Sequence, residues 1–213
     1  GPRLKWIKSK IENKNSLIIT FIISVMLTFF IIKNLATDLL FYTVLISAAF
    51  MLFFITIKDL FIKKFNNISQ TVSHFGFSLL ILSILFNSIL SSEIITNIKI
   101  GERYSYNRGE IFFKKIEERK ESNFNSIIAS FEIKGKNGKT IELKPEIRIY
   151  NQPVTITSEA DIRTTLLEDK FLVMNLVKGN EYFNIRYQVK PFMVWIWISV
   201  LLLSLGGLMS LFK

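Results

Sequence analysis

Four stretches of this sequence run for 18 residues or more without a charged side chain: 15–32, 39–57, 65–92 and 191–212. Each is almost wholly apolar. A helix rises about 1.5 Å per residue and the hydrocarbon layer of a bilayer is about 30 Å thick, so each stretch is long enough to cross a membrane. An ordinary soluble globule is excluded. Average composition conceals this, because 50% hydrophobic and 21% charged residues are close to soluble values. The information lies in how the charges are spaced.

Charge also orients the chain, since Lys and Arg accumulate on the cytoplasmic side of membrane spans. Arg3, Lys5, Lys8, Lys10 and Lys14 precede the first stretch, and Lys58, Lys63 and Lys64 lie between the second and third. The loop after the first stretch holds only Lys33, balanced by Asp38. The expected layout is a cytoplasmic basic segment at 1–15, spans at 16–32, 39–57, 71–91 and 191–212, an outer loop at 33–38 and a cytoplasmic loop at 58–70. A large extracytoplasmic domain then fills 92–190. Most of the net charge of +10 records membrane orientation.

The outer region carries 17 Lys and Arg against 14 Asp and Glu. Its pattern is that of strands. Phe131-Glu132-Ile133-Lys134 and Ile141-Glu142-Leu143-Lys144 alternate, and Asn137-Gly138 between them suits a two-residue hairpin turn. Ile147-Arg148-Ile149, the segment 170–177 and the segment 181–189 continue the theme, with Gly179-Asn180 as a further turn. Asn123 to Ser126 and Asn151 to Pro153 read as loops. The fold class expected is an α-helical membrane protein with four transmembrane helices and an inserted all-β domain of six to eight antiparallel strands, a barrel or a sandwich.

Candidate chemistry is sparse. With no cysteine there is no disulfide, thiolate metal site or Cys-x-x-Cys pair, and with one histidine there is no multi-histidine metal site within the chain. No glycine-rich phosphate loop or nucleophile elbow is present. Lys114-Lys115 and Arg119-Lys120 alternate with Glu117, Glu118 and Glu121, which describes a solvated strand face and no nucleic-acid partner. Glu146 and Arg148 are the charges that stand out in the β-domain, as an ordinary cross-strand ion pair. Tyr182, Tyr187, Phe192, Trp195 and Trp197 suit an aromatic belt at headgroup level. Gly206-Gly207 would let helices approach closely.

His74 is the exception. An ionisable residue in a span marks a functional site by default. The alternative is an imidazole bonded to a neighbouring helix or snorkelling to the interface, and the residues alone leave both open. A haem needs flat space beside its ligand; Gly76 would leave it, and Phe77, Ser78 and Ile81 follow at i+3, i+4 and i+7. A bis-histidine haem cannot be completed within this chain.

Four segments together resemble a known family. Gly1-Pro2 with Lys5-Trp6 is similar to its Gly-Pro…Trp-Lys/Arg stretch before a span. Ser73-His74-Phe75-Gly76-Phe77 resembles its His-x-Gly span. Lys144-Pro145-Glu146-Ile147-Arg148-Ile149-Tyr150, followed by Thr157-Ser158-Glu159-Ala160, resembles its Pro-Glu-x-Arg-x-Tyr…Thr-x-Glu-Ala strand pair. The segment from Lys190-Pro191 to Trp195-Ile196-Trp197, followed by Gly206-Gly207, resembles its last span. The family is CcmF, the large membrane subunit of cytochrome c haem lyase, and the likeness is to its C-terminal portion.

The resemblance implies a role in attaching haem to apocytochrome c outside the membrane, as one subunit of a multi-subunit lyase that is inactive as this chain alone. It implies a haem b between two membrane histidines, with His74 as one axial ligand to the haem iron and the other outside the chain. The tryptophan-rich segment and two further histidines that receive haem from a haem chaperone would lie upstream of Gly1, in a longer protein or the other product of a split gene. Partners implied are the membrane, that upstream part, the chaperone, other maturation subunits and apocytochrome c. The location implied is the bacterial or mitochondrial inner membrane, with the β-domain on the periplasmic or intermembrane side. The rival expectation is a haem-free, membrane-anchored assembly protein or transporter accessory with an outer β-domain.

Overall fold

The computed structural model describes residues 14–33, 39–62, 68–136, 138–177 and 181–211. Gly1-Pro2, Lys5-Trp6, Lys63, Lys64, Asn137 and Gly179-Asn180, singled out above, lie outside these residues. The chain divides into a helical unit and a β unit, the latter being Ile89–Val194.

The helical unit contains α1 (Lys14–Ile32), α2 (Leu39–Ile62), α3 (Ile68–Leu90) and α4 (Met193–Leu211). All four are long and apolar enough to cross a membrane. Lipid tails are as apolar as leucine, so helices associate there through close packing and small side chains. On α1, the Ser24 and Thr28 side chains are fully buried. Each hydroxyl donates to the carbonyl four residues back, at 2.8 Å, so no polar group is left unsatisfied. Aromatic contacts join α2 to α3, with Phe50 and Phe86 at 5.8 Å and Phe53 and Phe75 at 5.7 Å between ring centres. At the α3–α4 contact the Ser69 hydroxyl donates to the Gly206 carbonyl at 2.8 Å.

Among the described residues the β unit has ten strands in two antiparallel sheets. One sheet runs in the order β1 (Ser92–Ile98), β10 (Phe183–Pro191), β9 (Glu168–Leu176), β8 (Asp161–Thr164). The other runs β2 (Arg103–Tyr106), β3 (Gly109–Lys120), β4 (Phe124–Gly135), β6 (Glu146–Asn151), β7 (Val154–Glu159), with β5 (Thr140–Leu143) also on β4. One buried cluster takes side chains from both sheets, Leu172, Met174, Ile185 and Tyr187 from the first and Phe113, Ala129, Phe131 and Ile133 from the second. The domain is therefore a sandwich. Strand alternation supplies that core, since every second residue of a strand faces the same way. On β4 every second residue, Ala129, Phe131 and Ile133, is buried in the core and Lys134 is exposed, although Ser130 on the other face is covered as well.

Three expectations change. Ten strands replace six to eight, because β2 and β8 have four residues each and show no alternation long enough to detect. Phe124 to Ser126 are the start of β4, not a loop. Phe124 pairs in register with Tyr150, their rings 5.3 Å apart, and this holds a polar stretch in the ladder. The β4–β5 connection has four residues, 136–139, so it is longer than a two-residue turn. Gly138 takes a left-handed φ of 75° there and donates to the Gly135 carbonyl at 3.0 Å.

Candidate functional site: the open face of the third helix

Successive α-helical residues are about 100° apart, so residues two apart lie on nearly opposite sides. On α3 this separates His74 from Gly76. Gly76 is buried against α4. A Cβ there would meet the Leu203 backbone nitrogen at 2.9 Å and the Ser199 carbonyl oxygen at 3.0 Å. The space beside Gly76 therefore belongs to α4 and is not available to a haem beside His74, which corrects the expectation. Ser78 also turns inward. It is fully buried and donates to the Phe75 carbonyl at 2.9 Å.

His74 lies on the open side. It is exposed, as are Gln70 one turn before it and Phe77 and Ile84 after it, with Phe77 47% and Ile84 49% exposed. Ile81 between them is half-buried. The Gln70 amide nitrogen is 3.4 Å from His74 Nε2. That is a long contact, at the weak end of hydrogen bonding. Among the described residues no group of three or more His, Asp or Glu could hold a metal ion. The stripe thus offers a single imidazole, weakly held, on an apolar face that the described residues leave uncovered. Gln70 was missed in the sequence. Its signal was its place one turn before His74 on the same face.

The last span also resolves. Of the two glycines, only Gly206 makes a close approach, since a Cβ on it would meet the Ser73 nitrogen at 2.6 Å, whereas nothing lies within 4 Å of one on Gly207. The aromatic belt loses two members. Tyr187 is 2% exposed in the sandwich core, and Tyr182 sits under the Lys99 ammonium at 4.5 Å. Tyr187 is turned into the core, and Tyr182 lies beside the end of β10 away from the helix start. Trp197 is 65% exposed, as a belt residue would be.

Glu146 and Arg148 share one strand, β6. They are two residues apart and therefore on one face, so the expected cross-strand pair is a same-strand pair. Arg148 Nη2 is 3.1 Å from Glu146 Oε2, and its guanidinium lies 5.2 Å from the Phe124 ring centre. The hydrogen bond from Arg148, with its charge, holds the Glu146 carboxyl below the usual carboxylate range.

A family model described as the CcmF C-terminal beta-sandwich matches residues 89–191. The β unit thus matches the CcmF C-terminal sandwich, and the whole chain is similar to CcmF proteins. Cytochrome c-type biogenesis protein CcmF of Escherichia coli (strain K12) is 24% identical over 221 residues, which cover 100% of this chain and 34% of that protein. Cytochrome c-type biogenesis protein NrfE of Haemophilus influenzae is 25% identical, over 79% of this chain and 27% of that protein. A solved structure named Cytochrome c Heme Lyase CcmF matches with a TM-score of 0.71 at 17% identity, over 98% of this chain and 36% of that one. That likeness extends over helices and sandwich alike. The chain spans about a third of the length of the CcmF proteins it matches. With four apolar helices and this kinship, it is an integral membrane protein.

Proposed function

We propose that this chain is the C-terminal part of a membrane haem lyase subunit in cytochrome c maturation, and that His74 gives one axial nitrogen to a haem b. The observation that carries the reading is the open stripe of α3: in a chain similar to CcmF, the one histidine projects from the helical unit on a face that the described residues leave uncovered. The second nitrogen would come from a histidine on the upstream part. The residues fit such a group. His74 Nε2 gives up only a weak contact with Gln70, and Phe77, Ile81 and Ile84 offer an apolar surface on the same face. The Ser69–Gly206 hydrogen bond fixes the height of α3 against α4, and with it the height of the imidazole. A haem held there by His74 would supply a one-electron redox couple.

The test uses this chain joined to, or expressed with, the upstream part found in its longer relatives. Replacing His74→Ala should abolish the bis-histidine haem b absorbance. An unchanged spectrum would sink the assignment.

The sandwich, in this reading, lies on the periplasmic or intermembrane side of the inner membrane. It serves as a docking scaffold for apocytochrome c or for partner lyase subunits. Supporting this role are its near-balanced charge and the lack, among the described residues, of any acidic or histidine cluster that could hold a metal. Removing residues 98–187 should end co-purification with partner subunits and leave the haem b spectrum intact. Loss of the spectrum would show instead that the sandwich shapes the haem site.

A further inference from the structure

The two ends of the sandwich differ. Strand register gathers the β2–β3 turn, the β4–β5 loop and the β8–β9 loop at one end, through the pairs Tyr106 with Gly109, Gly109 with Gly135 and Glu168 with Pro191. The chain enters the domain at this same end, at Ser92, which pairs with Val189, and leaves it through Pro191 and Phe192. Phe192 is the one residue between β10 and α4. It has a left-handed φ of 61°, which a bulky side chain adopts only where its surroundings hold it. Its N–H donates to the Leu167 carbonyl at 2.9 Å. The β8–β9 loop is thus tied, by one hydrogen bond, to the residue before a membrane-length apolar helix.

The tip of that loop is Leu166-Leu167, each 67% exposed. Two adjacent leucines held in water are unfavourable, and removing their surface from water is favourable. Beside them a cleft of about 300 Å³ opens between the sheets at the same end. Arg108, Lys136 and Lys170 line it together with Tyr106 and Tyr187. Lys170 is matched by Glu168 at 3.1 Å. Arg108 and Lys136 are exposed, and among the described residues neither forms an ion pair. The Lys136 N–H donates to the Arg108 carbonyl at 3.1 Å, which keeps the two loops together. Tyr106 and Tyr187 are hydrogen-bonded to each other, and burial pushes both phenols up, so they remain protonated donors.

We propose that this end of the sandwich is a lipid-binding edge, in which Leu166 and Leu167 enter the acyl boundary and Arg108 and Lys136 take the phosphate of an anionic lipid. The two halves suit each other. Apolar tips belong at acyl depth and basic side chains at phosphate depth, one layer above, and the loop's tether to Phe192 sets both near the point where α4 begins. The edge would fix the height of the sandwich above the bilayer.

The absence of cysteine makes the test direct. Leu166→Cys and, at the opposite end, Val154→Cys each accept a single environment-sensitive fluorophore; Val154 is 82% exposed, and neither change touches the core. In nanodiscs containing phosphatidylglycerol, lipids carrying a shallow quencher should quench the label at 166 and spare the label at 154. Equal quenching at both overturns the proposal. Native mass spectrometry of the chain released from the same discs should find phosphatidylglycerol retained. A basic side chain beside an anionic lipid surface strengthens binding about fivefold, so Arg108→Gln or Lys136→Gln should each lower retention by about that factor. Unchanged retention, equal retention of phosphatidylcholine, or release of the lipid by inorganic phosphate at equal concentration overturns the headgroup assignment.

Discussion

Glu146 is a carboxylate whose ionised form the fold favours, through the hydrogen bond and charge of Arg148 and a further bond from Ser126. Its folded pKa is therefore lowered. A group shifted this way stabilises the fold fully above its ordinary unfolded pKa, and the contribution fades as pH falls through the folded value. Replacing Arg148→Gln should raise the Glu146 titration midpoint towards the ordinary range, as read by carboxyl NMR chemical shifts. It should also move acid unfolding to higher pH. A midpoint that stays put would show that Arg148 is not the cause. Core residues respond on a larger scale. Phe113 and Phe131 stack at 4.3 Å and are both fully buried, so Phe113→Ala should cost about 3–5 kcal/mol, read from chemical denaturation followed by near-UV circular dichroism. Its neighbour Phe112 faces outward under Arg103, 4.5 Å from the ring centre. Phe112→Ala should cost only about 1 kcal/mol or less. In the sequence these two phenylalanines are alike. The two-residue period of the strand separates them, and it can be applied only once the register is known.

At the scale of elements, Gly206 and Gly207 pose the same problem for a helix. Both are plain in the sequence as places where another helix could come close. Which of them is used depends on the phase of α4 against α3, and phase is a property of packing that a uniformly apolar span does not encode. Gly206→Ala should be unfavourable by about 1–3 kcal/mol, because its Cβ meets backbone that cannot move aside. Gly207→Ala should be neutral or slightly stabilising, since helical alanine is favoured over glycine by up to about 1 kcal/mol. Thermal unfolding in detergent, followed by far-UV circular dichroism, compares the two. Equal effects would contradict the packing described. The same phase question governed His74. Its place on a span was legible from the charge gaps, but whether it faced α4 or open space was not. The 100° step per residue, together with the α4 contact at Gly76, answers it: the imidazole and the small-residue seam lie on opposite sides of α3.

For the whole molecule, the division into helices and an inserted β-domain was legible because charge distribution and side-chain period are long-range features. The four charge gaps needed no packing information, and the strands with one buried face kept their alternation, as β4 and β5 do. The strand number was less legible, since β2, β7 and β8 sit at or near sheet edges with little buried surface to impose a pattern. Orientation is the property that still rests on charge alone, and it can be tested with single cysteines in a chain that has none. The charge rule expects the basic loop that holds Lys63 and Lys64 on the cytoplasmic side and the sandwich on the outer side. In inside-in membranes a membrane-impermeant maleimide should then label Glu102→Cys at once and Lys63→Cys only after permeabilisation. The rule depends on Lys and Arg close to the span ends, so replacing Lys58, Lys63 and Lys64 with glutamine should slow or mix the orientation of α2 and α3. The balanced charge of the sandwich should have no such effect, because long outer domains translocate largely regardless of charge. Labelling of Lys63→Cys in intact membranes, with protection of Glu102→Cys, would invert the topology. It would also place the sandwich, and the lipid edge proposed for it, against the cytoplasmic leaflet.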